Sequence, residues 1–208
     1  METYKTIRIW KLKTSKTELV DILKAWLVLS LAFALVFGSI SLLNGNLSKI
    51  VSSSFIVLFL VSMMTAGIGF LFHELAHKFA AQHYGCTAEF RAFDQMLYLA
   101  LGLAAVIGFI FAAPGAVMIA GRVTLRENGI ISLAGPLTNF ILAGVFLGLS
   151  FSVPILQIGF MINAWLGIFN LIPFGNFDGR KILEWNRYTW FGMVVLGIFL
   201  LFGLPGFL

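Results

Sequence analysis

The sequence predicts an all-α polytopic membrane protein of about five to six transmembrane helices, with a re-entrant, partly β-like segment near residues 112–124. Three observations carry this expectation. Of the 208 residues, 60% are hydrophobic and 11% charged, against about 45–50% and about 25% in an ordinary soluble domain. Apolar runs recur at the length, about 20 residues, that a helix needs to cross a ~30 Å hydrocarbon core at ~1.5 Å per residue. The basic residues behind the net charge of +5 lie between those runs. They are not gathered into the groove that a nucleic-acid partner would require.

The elements follow in chain order. Residues 1–24 carry Lys5, Arg8, Lys11, Lys13, Lys16 and Lys24 and read as a basic cytoplasmic or interfacial arm, with a helix starting at Lys16. The first span is 25–43, closed by the turn-forming Asn44, Gly45 and Asn46. A second apolar run starts near Ser54 and continues unbroken through His73 to His77, with no proline before Gly85. The stretch 96–120 is apolar but carries Pro114 and Gly115. Spans at 129–151 and 154–172 are separated by almost nothing, and 188–208 is the last. The longest polar stretches, 1–24 and 174–187, are too short to fold alone. The expectation is therefore a single membrane-embedded domain over 1–208 with its core at 54–179, no attached soluble domain and no cleaved signal. One cysteine, Cys86, excludes an internal disulfide and leaves the redox compartment open.

Charge decides how 96–120 is threaded. If it crosses once, the 14 Lys and Arg divide into 8 on one side and 6 on the other; if it dips in and returns, only Lys49 stands apart, 13 to 1. The positive-inside rule prefers the second arrangement. Residues 96–111 would then run inward, turn at Ala113, Pro114 and Gly115, and return over 116–124. Backbone that is neither helix nor closed barrel survives at membrane depth only inside protein or along a wet cavity, so a cavity is expected there.

The segment His73, Glu74, Leu75, Ala76, His77 is the HExxH pattern of zinc hydrolases. Residues four apart share one helix face, so both imidazoles reach one metal, with Glu74 beside them to handle a proton. A zinc ion acidifies a water that it holds, and a carboxylate can then take the proton. Ionisable groups inside a span are costly and by default functional.

Such a site wants a third protein ligand. His83 follows His73 by ten residues, but on an unbroken helix it lies about 240° round from His77 and faces away. Asp178 is the better candidate. Pro173 ends the preceding helix, and Gly175 and Gly179 free the chain to turn the carboxylate back. Depth agrees: Phe55 to His73 is about 27 Å of helix and Pro154 to Pro173 about 28 Å. Both spans run inward in the 13-to-1 arrangement, so both sets of ligands arrive just beneath the cytoplasmic surface.

His73 to His77 within a span, followed by the 170–179 segment that reads N-x-x-P-x-x-x-x-D-G, resembles the site-two family of intramembrane metalloproteases over residues 54–179. The resemblance implies hydrolysis of peptide bonds within or near the transmembrane segments of membrane-protein substrates. It implies one zinc per chain on His73, His77 and Asp178, with Glu74 as general base. The segment at Pro114 and Gly115 is similar to the family's re-entrant strand, whose edge would receive an unwound substrate by β-augmentation. Asn170 matches the motif asparagine, associated with substrate or oxyanion contact. Gly135, Pro136 and Asn139 resemble a small-residue motif, for which Asn139 is either a substrate contact or one polar contact in close helix packing. Asn163 reads as interhelical glue, and Trp185, Tyr188 and Trp190 as an interfacial belt. The expected setting is a multi-pass cell membrane, with the N-terminus and the site toward the cytoplasm; lipid and substrate are the partners, not nucleic acid. A metal-ion transporter using the same His, Glu and Asp residues is the rival reading, but the spans hold hardly any further ionisable groups to pass an ion along.

Overall fold

A computed structural model describes residues 7–9, 12–110 and 114–204. Strands β1 (Ile7–Ile9) and β2 (Leu12–Thr14) form an antiparallel hairpin, Ile7 opposite Thr14. Helix α1 (Lys16–Phe37) starts at the expected Lys16, because the Ser15 hydroxyl accepts the Glu18 N–H at 3.2 Å. It stops six residues short of the expected 43. The chain turns at Gly38 and Ser39 (φ 49°), and the amides of Asn44 and Asn46 donate to the Ser39 carbonyl at 2.8 and 3.0 Å. Helices α2 (Ser53–Ser62) and α3 (Ile68–His83) are joined by a π-helical turn, Met63–Gly67, into one helix of 31 residues.

Strand β3 (Thr87–Ala92), helix α4 (Asp94–Ile107), strand β4 (Gly115–Ala120) and helix α5 (Leu125–Ser150) follow. Thr124 and Glu127 form a capping box at the start of α5. Helices α6 (Gln157–Asn170), α7 (Asp178–Trp185) and α8 (Arg187–Ile198) follow, and a π-helical turn, Phe199–Gly203, extends α8. Among the described residues, three helices are long and apolar enough to cross a membrane: Lys16–Phe37, Ser53–His83 and Leu125–Ser150; Asp94–Ile107, Pro154–Asn170 and Arg187–Gly203 are shorter and apolar. The chain is thus a helical membrane protein with small sheets.

The re-entrant segment expected near 112–124 holds β4, and its expected turn at Ala113 lies outside the described residues. Strand β3 was not anticipated: only Ala88 and Phe90 alternate inward, and alanine is a poor strand former. β3 and β4 are hydrogen-bonded neighbours. The Phe93 N–H donates to the Pro114 carbonyl at 2.9 Å, and at the other end the Thr87 hydroxyl donates to the Ala120 carbonyl at 3.1 Å, so the pair is antiparallel. In this register the backbone groups of Ala88 and Phe90 point away from β4. Side chains take them: Gln82 donates to the Ala88 carbonyl at 3.1 Å, and Glu18 accepts the Phe90 N–H at 2.8 Å. Among the described residues, β4 has no strand on its other edge.

By contacts the chain divides into two units, Met1–Ile68 with Glu89–Met118, and Gly69–Ala88 with Ile119–Leu208. The first is built on Ala32, Ala34, Leu35, Ile40, Phe55 and Ala104. Ionic contacts also hold it: Lys24 pairs with Asp94, and Arg91 with Glu89 and Asp21. The second has one cluster of Phe140, Leu171, Ile182 and Met193 and another of Ala143, Phe146, Phe160 and Ala164. It contains every residue of the site described next.

Candidate metal centre

His73 and His77 lie one turn apart on α3, and Asp178 is the first residue of α7. All three are buried. The two Nε2 atoms are 3.0 Å apart, and Asp178 Oδ2 lies 3.3 Å from that of His73 and 3.0 Å from that of His77. Among the described residues these three are the group of His, Cys, Asp or Glu side chains able to hold a metal ion.

The donor chemistry fits zinc. The outer nitrogen of each ring is engaged: His77 Nδ1 meets the Ile131 carbonyl at 2.7 Å, and His73 Nδ1 meets Asn139 Oδ1 at 2.5 Å. A carbonyl only accepts, so His77 Nδ1 carries its proton, and in the neutral ring Nε2 is left with a lone pair. Backing of this kind fixes the tautomer and orientation of metal-binding histidines. Two imidazole nitrogens and a carboxylate oxygen then face one another in a buried space, which a shared cation reconciles. Their spacing agrees with the ~3.3 Å edge of a tetrahedron whose arms are ~2.0–2.1 Å, the usual zinc distances. The space is kept by Gly135 of α5, where a β-carbon would sit 2.4 Å from His77 Nε2 and 2.6 Å from His73 Nε2.

Asp178 reaches this point through its loop. Gly175 turns the chain at φ 62°, a conformation that glycine adopts without strain. The buried Leu171 carbonyl, just past the end of α6, accepts the Trp190 indole N–H at 2.8 Å. Gly179, the residue after Asp178, packs on the same carbonyl so closely that a β-carbon would stand 2.0 Å from its oxygen. Ile182 and Leu171 anchor α7 in the core of this unit. Burial alone would raise the Asp178 carboxyl, but in the metal-free site protonated His77 and His73 rings outweigh it and hold it well below the usual carboxylate range.

Glu74 stands one residue beyond His73, half-buried and within electrostatic reach of His77. His83 lies apart from the cluster, its ring against Tyr84. Asn170 is half-buried and spends one amide hydrogen on the Leu166 carbonyl, 2.9 Å away in its own helix. Asn139 makes a polar contact within the helix packing, one of its two readings. Fully buried, it accepts from His73 and gives its amide hydrogens to the Gly69 carbonyl and to Asn163 Oδ1, each at 3.1 Å. Trp190, expected only in an interfacial belt, tethers the Asp178 loop. The Ile131 carbonyl, being backbone, leaves no mark in the sequence.

Two imidazoles, a carboxylate and an adjacent glutamate on an apolar helical scaffold define the class as metallopeptidase-like. Comparison with known proteins agrees. The chain is 44% identical over 155 residues to the provisionally named zinc metalloprotease MJ0611 of Methanocaldococcus jannaschii, the match covering 70% of this chain and 81% of that one. It is 33% identical over 133 residues to Rip2 of Mycolicibacterium smegmatis, also provisionally named a zinc metalloprotease, covering 54% of this chain and 51% of the relative. A third relative, zinc metalloprotease MJ0392 of M. jannaschii, is 29% identical over 159 residues, 73% of this chain and 39% of that one. The chain therefore spans about half of Rip2 and less of MJ0392. No family model and no solved structure matches it. The chain belongs to the site-two protease family of zinc metalloproteases.

Proposed function

We propose that this protein is an intramembrane endopeptidase that hydrolyses peptide bonds within or near the transmembrane segments of membrane-protein substrates. The observation that carries the reading is the convergence of His73, His77 and Asp178 within 3.3 Å of one another, with Glu74 beside them on an apolar helix. His73 Nε2, His77 Nε2 and Asp178 Oδ2 would hold one zinc ion, which when bound supplies Lewis-acid charge to polarise a substrate carbonyl and acidify water.

The chain's own residues do the rest. Glu74 accepts a proton from the attacking water as its oxygen bonds to the scissile carbonyl carbon. The same carboxyl then returns that proton to the departing amide nitrogen as the C–N bond breaks, leaving one carboxylic acid and one amine. The Nδ1 hydrogen bonds keep both rings aimed while charge develops. Asn170 would meet substrate through its remaining amide hydrogen. A substrate helix hides its carbonyls in its own hydrogen bonds and must unwind before attack; the outer edge of β4 would receive the freed backbone. On this reading the shorter apolar helices would bring the crossings to about five to six, and the positive-inside rule, applied to the 13-to-1 distribution of basic residues, supports an N-terminus and a site that face the cytoplasm.

Glu74→Gln tests the function. In purified protein with a panel of single-span substrates, the wild type cleaves in a chelator-sensitive way, whereas the variant keeps its zinc and loses cleavage. Zinc flux altered by the variant, with no cleavage by either form, would replace the protease with a transporter.

A further inference from the structure

The buried amides of Asn139 and Asn163 have a job that neither the motif pattern nor the relatives' names assign. Two backbone carbonyls fix which way each amide faces. The Asn163 amide donates to the Gly159 carbonyl at 2.9 Å, so its nitrogen is on that side and its oxygen faces Asn139. The nitrogen of Asn139 lies 3.1 Å from that oxygen and 3.1 Å from the Gly69 carbonyl. Both neighbours are acceptors, so both amide hydrogens of Asn139 are spent there. Its oxygen is thereby turned to His73 Nδ1, which must donate. A flipped Asn139 would set its oxygen against two other oxygens.

Polarity thus passes from the Gly159 carbonyl through Asn163 and Asn139 to the ring of His73, and its last effect is to strip Nε2 of its proton on the side facing His77 and Asp178. Asn139 also grips Gly69, the residue one helical turn before His73. The two amides, on α5 and α6, lock both the ring and the stretch of α3 beneath it. The relay is packed without slack: a β-carbon on Gly69 would lie 2.3 Å from Asn163 Oδ1. Asn139 and Asn163 are fully buried, where an unmade hydrogen bond is costly.

We propose that Asn163 and Asn139 form a two-amide relay whose purpose is to hold His73 in the tautomer and orientation that bind the metal. Both are positioning residues, and neither meets substrate. The proposal rests on the reading of His73 as a zinc ligand and adds how that ligand is set.

The test is the zinc affinity of the purified full chain, by competition with a chromogenic chelator, together with the visible spectrum of the cobalt(II)-loaded protein. Neither readout needs a substrate. Asn139→Leu is expected to weaken zinc by about 10- to 100-fold, the range for lost partners of a liganding histidine. Asn139→Asp keeps an acceptor for His73 and is expected to recover part of that loss. Asn163→Ala, one amide further along from His73, is expected to weaken zinc several-fold and shift the cobalt bands. The Asn139→Leu, Asn163→Ala double variant should be no weaker than Asn139→Leu alone, because one path runs through the other.

Asn163→Ala with wild-type affinity and wild-type cobalt bands overturns the relay, as does a double variant in which the two losses add. Should Asn139→Leu fail to fold, Asn163→Ala and Gly69→Ala decide the matter by the same readouts. A wild type that binds no zinc would instead sink the metal site itself, an outcome distinct from these.

Discussion

Gly135 faces His77 across a gap that no side chain can enter: a β-carbon there would stand 2.4 Å from the ring's Nε2. The ring cannot retreat, because its Nδ1 is tied to the Ile131 carbonyl at 2.7 Å. Gly135→Ala should therefore lower zinc affinity by about 10-fold or more, in the range for disturbed ligand geometry. Competition with a chelator measures this. Unchanged affinity would mean that the two Nε2 atoms do not bind metal where they now stand.

Trp190 should matter through Leu171. Trp190→Phe keeps an aromatic ring but leaves a buried carbonyl without its donor, a loss of about 1–3 kcal/mol. For a chain of this size each kcal/mol is worth about 2–4 °C in the unfolding midpoint. The variant is expected to melt several degrees lower and to release zinc faster, since the loop that carries Asp178 is loosened. A melting loss with no change in zinc release would confine Trp190 to stability.

Acid should act on Asp178. In the metal-free folded protein its carboxyl is held below the usual range because the protonated His77 and His73 rings outweigh burial. A depressed folded-state value adds stability that is present above the unfolded value, about 4, and is lost as the pH falls through the folded value. Chelator-treated wild type should thus melt above Asp178→Asn at neutral pH, and the gap should close only below about pH 4. A gap that grows with acid would contradict the pairing.

The outer edge of β4 gives a separate test. In the register set by Phe93 and Pro114, the N–H groups of Val117 and Ile119 point away from β3. Proline at either position removes an outward donor while sparing the bonds to β3. Val117→Pro and Ile119→Pro should keep zinc and lose cleavage of transmembrane substrates. Intact cleavage would remove β4 from substrate binding.

The parts of the molecule that the sequence announces are those written in side-chain type and spacing. His73 and His77 share a helix face by their four-residue step, and Pro173 with Gly175 marks the turn that brings Asp178 back. Lys16 marks where α1 starts. What stayed hidden depends on partners far along the chain. Asn163 carries a signal, a polar residue inside an apolar run, but its link to His73 passes through Asn139 and is visible only in three dimensions. Trp190 looks like any interfacial tryptophan until its N–H is found on the Leu171 carbonyl. β3 has too short an alternation to stand out, and it forms because β4 on one edge and Glu18 and Gln82 on the other take its backbone groups.

A zinc ion shared by His73, His77 and Asp178 would join two segments about a hundred residues apart in the chain. The most direct measurement is metal content together with X-ray absorption on purified wild type and Asp178→Ala. Wild type should hold one zinc per chain, bound by nitrogen and oxygen at about 2.0–2.2 Å, and the variant should lose most of it. Full zinc occupancy with an unchanged absorption spectrum in Asp178→Ala, or sulfur among the ligands of the wild type, would contradict the shared site.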